Sequence, residues 1–174
     1  LTSLKGIGPR RAETLGKLGL FSVGDLLRFA PRDYRDYRHV LLAGEAPHGQ
    51  DGAFALTLCS QPRLARIPGR GRLNILTISG QDASGKLTLT WFNQPYRQTQ
   101  LKEGQQVIAC GRVDRSRGAR LVNPTLYPAL PGILPIYPMT RGLSQSLLRD
   151  AVRAGLEAAS QDMPELLPPS LLAR

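Results

Sequence analysis

The sequence predicts a mainly β chain: a small barrel, preceded by a helical hairpin and followed by an extended strap and one amphipathic helix. Three observations lead there. Residues 51–127 carry five short apolar stretches separated by turn clusters, most of them alternating apolar and other residues. The flanking segments, 1–30 and 143–160, space their apolar residues by three and four instead. Residues 128–140 (PALPGILPIYPMT) hold four prolines, which favour an extended strap over a helix. With 41% apolar residues in a chain of 174, there is enough to bury one ordinary core with small additions.

In LTSLKGIGPRRAETLGKLGL, Gly6-Ile7-Gly8 forms a turn and Pro9 suits a first helical turn. Ala12, Leu15 and Leu18 follow at helical spacing, and Gly19 is the stop. Ser22 is placed to cap a second helix carrying Val23, Leu26, Leu27 and Phe29, which ends before Pro31. Residues 31–50 are charged, aromatic and turn-rich, and read as a connector with a short apolar stretch at 40–42. The five strands centre on Phe54-Leu56-Leu58, on 73–78, on Leu87-Leu89-Trp91, on Val107-Ala109 with Val113, and on Leu121-Val122. Between the third and fourth, PYRQTQLKEGQ has the length of one helical turn or a short helix. Five strands with an insertion after the third match a Greek-key barrel of the OB type, with an SH3-like barrel as the competing topology. In the final helix, Ser144 is a fair cap, and Leu147, Leu148, Ala151, Val152 and Gly155 share one face. The expected domains are therefore 1–50, 51–127 and 128–174. The Pro-rich, apolar end at 163–174 (MPELLPPSLLAR) reads as a lead into further chain or onto a neighbour.

Charge narrows the function. Lys plus Arg number 23 against 13 Asp plus Glu, a net charge of +10, which suits a polyanion. Cys59 and Cys110 lie in apolar runs with no CxxC spacing, which argues against zinc; sequence leaves a disulfide open, but small core residues in a reducing, cytoplasmic setting are the expected reading. No run is long enough to span a membrane.

On the third strand, side chains alternate faces. Leu87, Leu89 and Trp91 form the core face, so Phe92 points outward with Lys86, Thr88 and Thr90. An outward aromatic there is where OB-folds stack bases, and Tyr96 follows just after the turn. The bland alternative is that the strap or the final helix covers Phe92. The loop after the first strand holds Arg63, Arg66, Arg70 and Arg72 with no acid among them. The loop between the last two strands holds Arg115 and Arg117, flanked by Arg112 and Arg120, against one acid, Asp114. These loops frame the binding face of an OB-fold, and arginine pairs with phosphate through a planar fork. Charges also gather in loops simply because loops are solvated, but mixed signs would then be expected. Gly6 and Gly8 with Arg10 and Arg11 form a candidate phosphate contact at a helix start, or serve only in packing.

Catalytic signals are weak. GQDASGK at 80–86 imitates part of a P-loop, but Leu87 stands where Ser or Thr is needed and a strand follows instead of a helix. It is better read as a hairpin turn. His39 and His48 lack an obvious partner set, and the acids are scattered. The chain alone is expected to have no enzyme activity, no metal site and no cofactor.

The opening LTSLKGIGPRRAETLGKLGLFSVGDLLRFAPRDYRD resembles the wedge region of RecG-type branched-DNA helicases. So do LTWFNQPYRQTQLKEGQQVIACGRV, NPTLYP at 123–128, and LPIYPMTRGLSQSLLRDAV. The resemblance runs over nearly the whole chain in one order, and WFNQPY is its most specific piece. It implies a bacterial protein of DNA repair and recombination that remodels replication forks and Holliday junctions. It also implies an OB-fold wedge at the branch point and a separate motor domain using ATP and Mg. The family's junction-capping aromatics map onto Phe92 and Tyr96. Residues 166–174 resemble the lead-in to the motor. The abundant first-loop arginines depart from the family pattern. A monomer is expected. A general single-strand-binding module and a protein-docking module remain the rival readings.

Overall fold

The computed structural model describes residues 1–4, 6–67, 73–140 and 142–160. The readings of Arg70, Arg72 and the 161–174 tail fall outside the described residues. The described residues form two compact units: one within Arg35–Leu134, and a second made of Leu1–Tyr34 with 135–160.

In the first unit, the alternating sequences become strands β2 (Asp51–Leu58), β4 (Leu73–Gln81), β5 (Lys86–Phe92), β6 (Gln106–Asp114) and β7 (Arg120–Val122). They pair in the order β2-β4-β5-β7-β6, and β6 returns to β2, which closes a ring. All pairings are antiparallel except β5 with β7. The ring is thinnest at β2–β4 and β6–β7, with two residue pairs each. Leu87, Leu89 and Trp91 point inward as predicted, and Phe54, Leu76 and Leu121 join them, all six fully buried. The insertion after β5 is a short 3-10 helix, η1 (Pro95–Thr99).

Further strands appear where loops were predicted. The "loop" with Arg63 and Arg66 is β3 (Arg63–Ile67), an edge strand paired with the first half of β4. Its arginines hid the pattern, because only Leu64 packs onto the core. β8 (Thr125–Tyr127) adds to β6. β1 (Asp33–Tyr37) lies in the connector, and pairs with β9 (Gly132–Ile136) in the Pro-rich segment. DYRDY has no apolar alternation to reveal it, and Pro135 is tolerated because a two-stranded pairing leaves free edges.

One end of the ring is plugged by residues 43–46. Ala43 and Ala46 join the core. The β4–β5 turn holds the plug on one side: the Asp82 carboxylate accepts from Ala43 N–H at 2.7 Å, and Ser84 Oγ accepts from Gly44 N–H at 2.9 Å. Asp82 also accepts from Ser84 and Gly85 N–H, so the P-loop look-alike is a hairpin turn.

In the second unit, α1 (Pro9–Gly16) and α2 (Val23–Arg28) form the predicted hairpin. Gly19 takes φ +77, the left-handed value that ends a helix. Ser22 caps α2 in a reciprocal box with Asp25: Ser22 Oγ accepts from Asp25 N–H at 3.1 Å, and the carboxylate accepts from Ser22 N–H at 2.8 Å. Helix α3 (Gln145–Ser160) starts at the Ser144 hydroxyl, which accepts from Leu147 N–H at 3.2 Å. Leu15, Leu26, Leu148 and Ala151 make the shared core, and the rings of Phe29 and Tyr137 stack 5.5 Å apart.

Candidate nucleic-acid interface

The outer face of β3, β4 and β5 follows from register, since residues directly opposite share a face. Arg63, Thr77 and Thr90 form one row, and Ala65, Ile75 and Phe92 the next. Ile67 opposite Leu73 extends an apolar stripe along the edge. Phe92 therefore lies on the outer face, half-buried beside Ile75.

Two asparagines fix its backbone. Asn123 Oδ1 accepts from Phe92 N–H at 3.0 Å, while Asn123 N–H donates to Thr90 O at 2.7 Å. Asn93 exchanges bonds with Asn74, its N–H donating at 2.8 Å and its Oδ1 accepting at 3.1 Å. Both sit at positive φ, 55 for Asn93 and 47 for Asn123, a region asparagine tolerates better than most residues. The chain thus reverses immediately after Phe92. Trp91, one residue earlier, points inward and donates its indole N–H to Pro124 O at 2.9 Å.

Tyr96, on η1, is 57% exposed. Its hydroxyl donates to Gln94 Oε1 at 3.1 Å, and Arg97 Nε donates to the same oxygen at 2.6 Å. The Arg97 guanidinium lies 5.5 Å from the Trp91 ring centre and 5.8 Å from that of Tyr96. Sequence reasoning missed Gln94 and Arg97. The signal was present: one turn of 3-10 helix puts residues three apart on one side, directly after an exposed aromatic.

The arginines divide. Arg63 and Arg66 are exposed but alternate along β3, so they leave opposite faces. Arg63 borders a recess of about 210 Å³ with Ser60, Thr77, Ser79 and Thr88. Arg112 and Arg117 are also exposed. Arg115 and Arg120 are drawn into the fold. Arg115 donates Nε to Ala46 O at 2.7 Å and Nη2 to Ala43 O and Gly44 O at 3.0 Å each, which holds the plug from its other side. Arg120 forms a two-pronged pair with Asp114, at 2.8 and 2.6 Å. The Ser116 hydroxyl and N–H, and then Arg120, hold the Asp114 carboxyl well below its ordinary value.

In the other unit, Gly6 has φ +84, Gly8 precedes α1, and Arg10 and Arg11 are exposed. Arg11 Nη1 donates to Gly6 O at 2.6 Å. These residues border an open recess of about 590 Å³. Cys59 and Cys110 are free thiols, and burial pushes Cys110 up to about 12, with Asp51 adding to the shift. Among the described residues, no group of three or more His, Cys, Asp or Glu could hold a metal ion. None of their helices is long and apolar enough to cross a membrane.

Residues 2–159 match the family profile described as the RecG wedge domain. The chain belongs to the RecG wedge domain family. The ATP-dependent DNA helicase RecG of Thermotoga maritima is 31% identical over 98% of this chain, and that of Escherichia coli K12 is 32% identical over 98%. A solved structure of RecG bound to a three-way DNA junction superposes with a TM-score of 0.84 at 31% identity over 99% of the chain. The chain spans about a quarter of these proteins, 22% and 26% of the two helicases and 24% of the solved chain. The wedge match also agrees with the ring topology, whose strand order is that of the predicted OB type.

Proposed function

We propose that this wedge domain recognises branched DNA and divides its strands as a rigid post. Phe92 and Tyr96 stack on the last exposed bases at the branch and block their re-pairing. Each such stack contributes on the order of 1–3 kcal/mol. Arg63, Arg66, Arg112 and Arg117, with Arg70 and Arg72, hold the separated strands by phosphate, and the Gly6–Gly8 turn with Arg10 and Arg11 is a second phosphate contact. Arg115 and Arg120 act on DNA only indirectly, by holding the plug and the β6–β7 loop. ATP and Mg would act in motor domains of a longer polypeptide, in the cytoplasm, with the wedge itself monomeric and without catalysis or cofactor.

The observation that carries this reading is Phe92 on the outer face of β5, its backbone fixed by Asn123, in a chain similar to RecG bound to a three-way junction. Fluorescence anisotropy against a three-way fork, a single strand and a plain duplex, at two salt concentrations, tests it. A fork preference that survives added salt and drops with Phe92→Ala is expected. Equal, salt-erased binding to all three, indifferent to Phe92, would leave only a basic surface and overturn the reading.

A further inference from the structure

We infer that Arg97 is a preformed phosphodiester clamp for the nucleotide whose base lies on Tyr96. The inference rests on the wedge reading above and adds a ligand contact to it.

Three features set the side chain up. Its Nε is committed to Gln94 Oε1 at 2.6 Å, which fixes the plane of the guanidinium. Its Cζ lies over two aromatic rings, 5.5 Å from the centre of Trp91 and 5.8 Å from that of Tyr96. Nη1 and Nη2 have no hydrogen-bond or ion-pair partner among the described residues. The segment NQPYRQTQL at 93–101 contains no acid to neutralise the charge.

A free arginine gives up rotamer entropy when it is immobilised on a ligand. Here much of that freedom is already lost in the unbound protein, because Gln94 and two rings hold the side chain. What remains on offer is the outer edge of the planar fork, the edge that binds a phosphate through two parallel N–H donors. Gln94 acts as a positioning residue for both groups, since one oxygen receives the Tyr96 hydroxyl and the Arg97 Nε–H. The ring that takes a base and the cation that takes the adjoining phosphate are thus held by one amide. Trp91 is fully buried and its ring does not contact DNA; it is the floor on which the guanidinium rests.

The test is fork binding by the whole chain as a function of salt, for wild type, Arg97→Gln, Arg97→Lys and Phe92→Ala, with circular dichroism at the assay temperature. A second series uses forks carrying a single neutral methylphosphonate linkage at successive positions beside the branch. Arg97→Gln should weaken fork binding several-fold and reduce the log–log salt slope by about 1. Arg97→Lys keeps the charge and should keep the slope, with weaker binding from the lost planar fork. One methylphosphonate position should weaken wild type several-fold and leave Arg97→Gln unaffected. A guanidinium that merely caps Trp91 would lower the melting temperature in both Arg97 variants without altering the salt slope or coupling to any one linkage. That result, with fork preference and Phe92 dependence intact in wild type, overturns the clamp alone. Loss of fork preference in wild type itself removes both the wedge reading and the clamp. The methylphosphonate series on wild type decides the matter even if an Arg97 variant fails to fold: insensitivity at every position overturns it.

Discussion

Arg115 holds the barrel plug by donating Nε to the Ala46 carbonyl at 2.7 Å, although its place in a loop between strands marked it for DNA. Its Nη2 reaches Ala43 O and Gly44 O as well, and its own N–H donates to His48 Nδ1 at 3.1 Å. Hydrogen bonds from a charged donor contribute more than neutral ones, and removing the donor leaves carbonyls to find other partners.

Arg115→Ala should therefore act on stability first. A loss of about 2–3 kcal/mol is expected, from hydrogen bonds of roughly 1.5–3 kcal/mol that share one side chain. Urea denaturation of the two proteins checks it. A variant as stable as wild type with weaker DNA binding would return Arg115 to the phosphate-contacting group.

Gly44 has no room for a side chain. A Cβ there would press into the Ser84 carbonyl oxygen, a backbone atom that cannot rotate away. Gly44→Ala should force the plug off the β4–β5 turn, at roughly 1–3 kcal/mol in keeping with overpacking elsewhere. Thermal melting reads the effect, and an unchanged midpoint would mean the plug moves freely.

Asp82 makes stability depend on pH. Burial works against its charge, but the Ser84 hydroxyl and the N–H groups of Ala43, Ser84 and Gly85 outweigh that and hold its carboxyl below the ordinary value. A depressed folded-state value means the contribution is complete above the unfolded value of about 3.9 and is lost as pH falls from there through the lower folded value. Melting temperature should drop on acidification below about pH 4. Asp82→Asn should melt lower near neutrality and show a flatter acid limb, with the gap to wild type closing as pH falls. A constant gap between the two proteins across pH 3–7 would be inconsistent with this assignment.

Alternation alone placed Leu87, Leu89 and Trp91 inside and Phe92 outside, because a pleated strand puts consecutive side chains on opposite faces whatever surrounds it. Local chemistry likewise revealed the Ser22 cap, the Gly19 helix stop and the Asp82–Gly85 turn, which depend on contacts within a few residues. The edge strands β1 and β3 were not legible. The partner of β1 is far along the chain, in β9, and although β4 directly follows β3, neither DYRDY nor RLARI alternates strongly enough to announce a strand.

The sequence by itself determined the closed β architecture, the helices on either side, the excess of positive charge and the outward aromatic, since composition and periodicity set all four. Tertiary structure decided what each arginine is for. Arg115 and Arg120 found carbonyls and a carboxylate that folding brings beside them. A guanidinium carries the same charge in every sequence position. Its role follows from which acceptors the fold places within about 3 Å of it, and no local pattern encodes that.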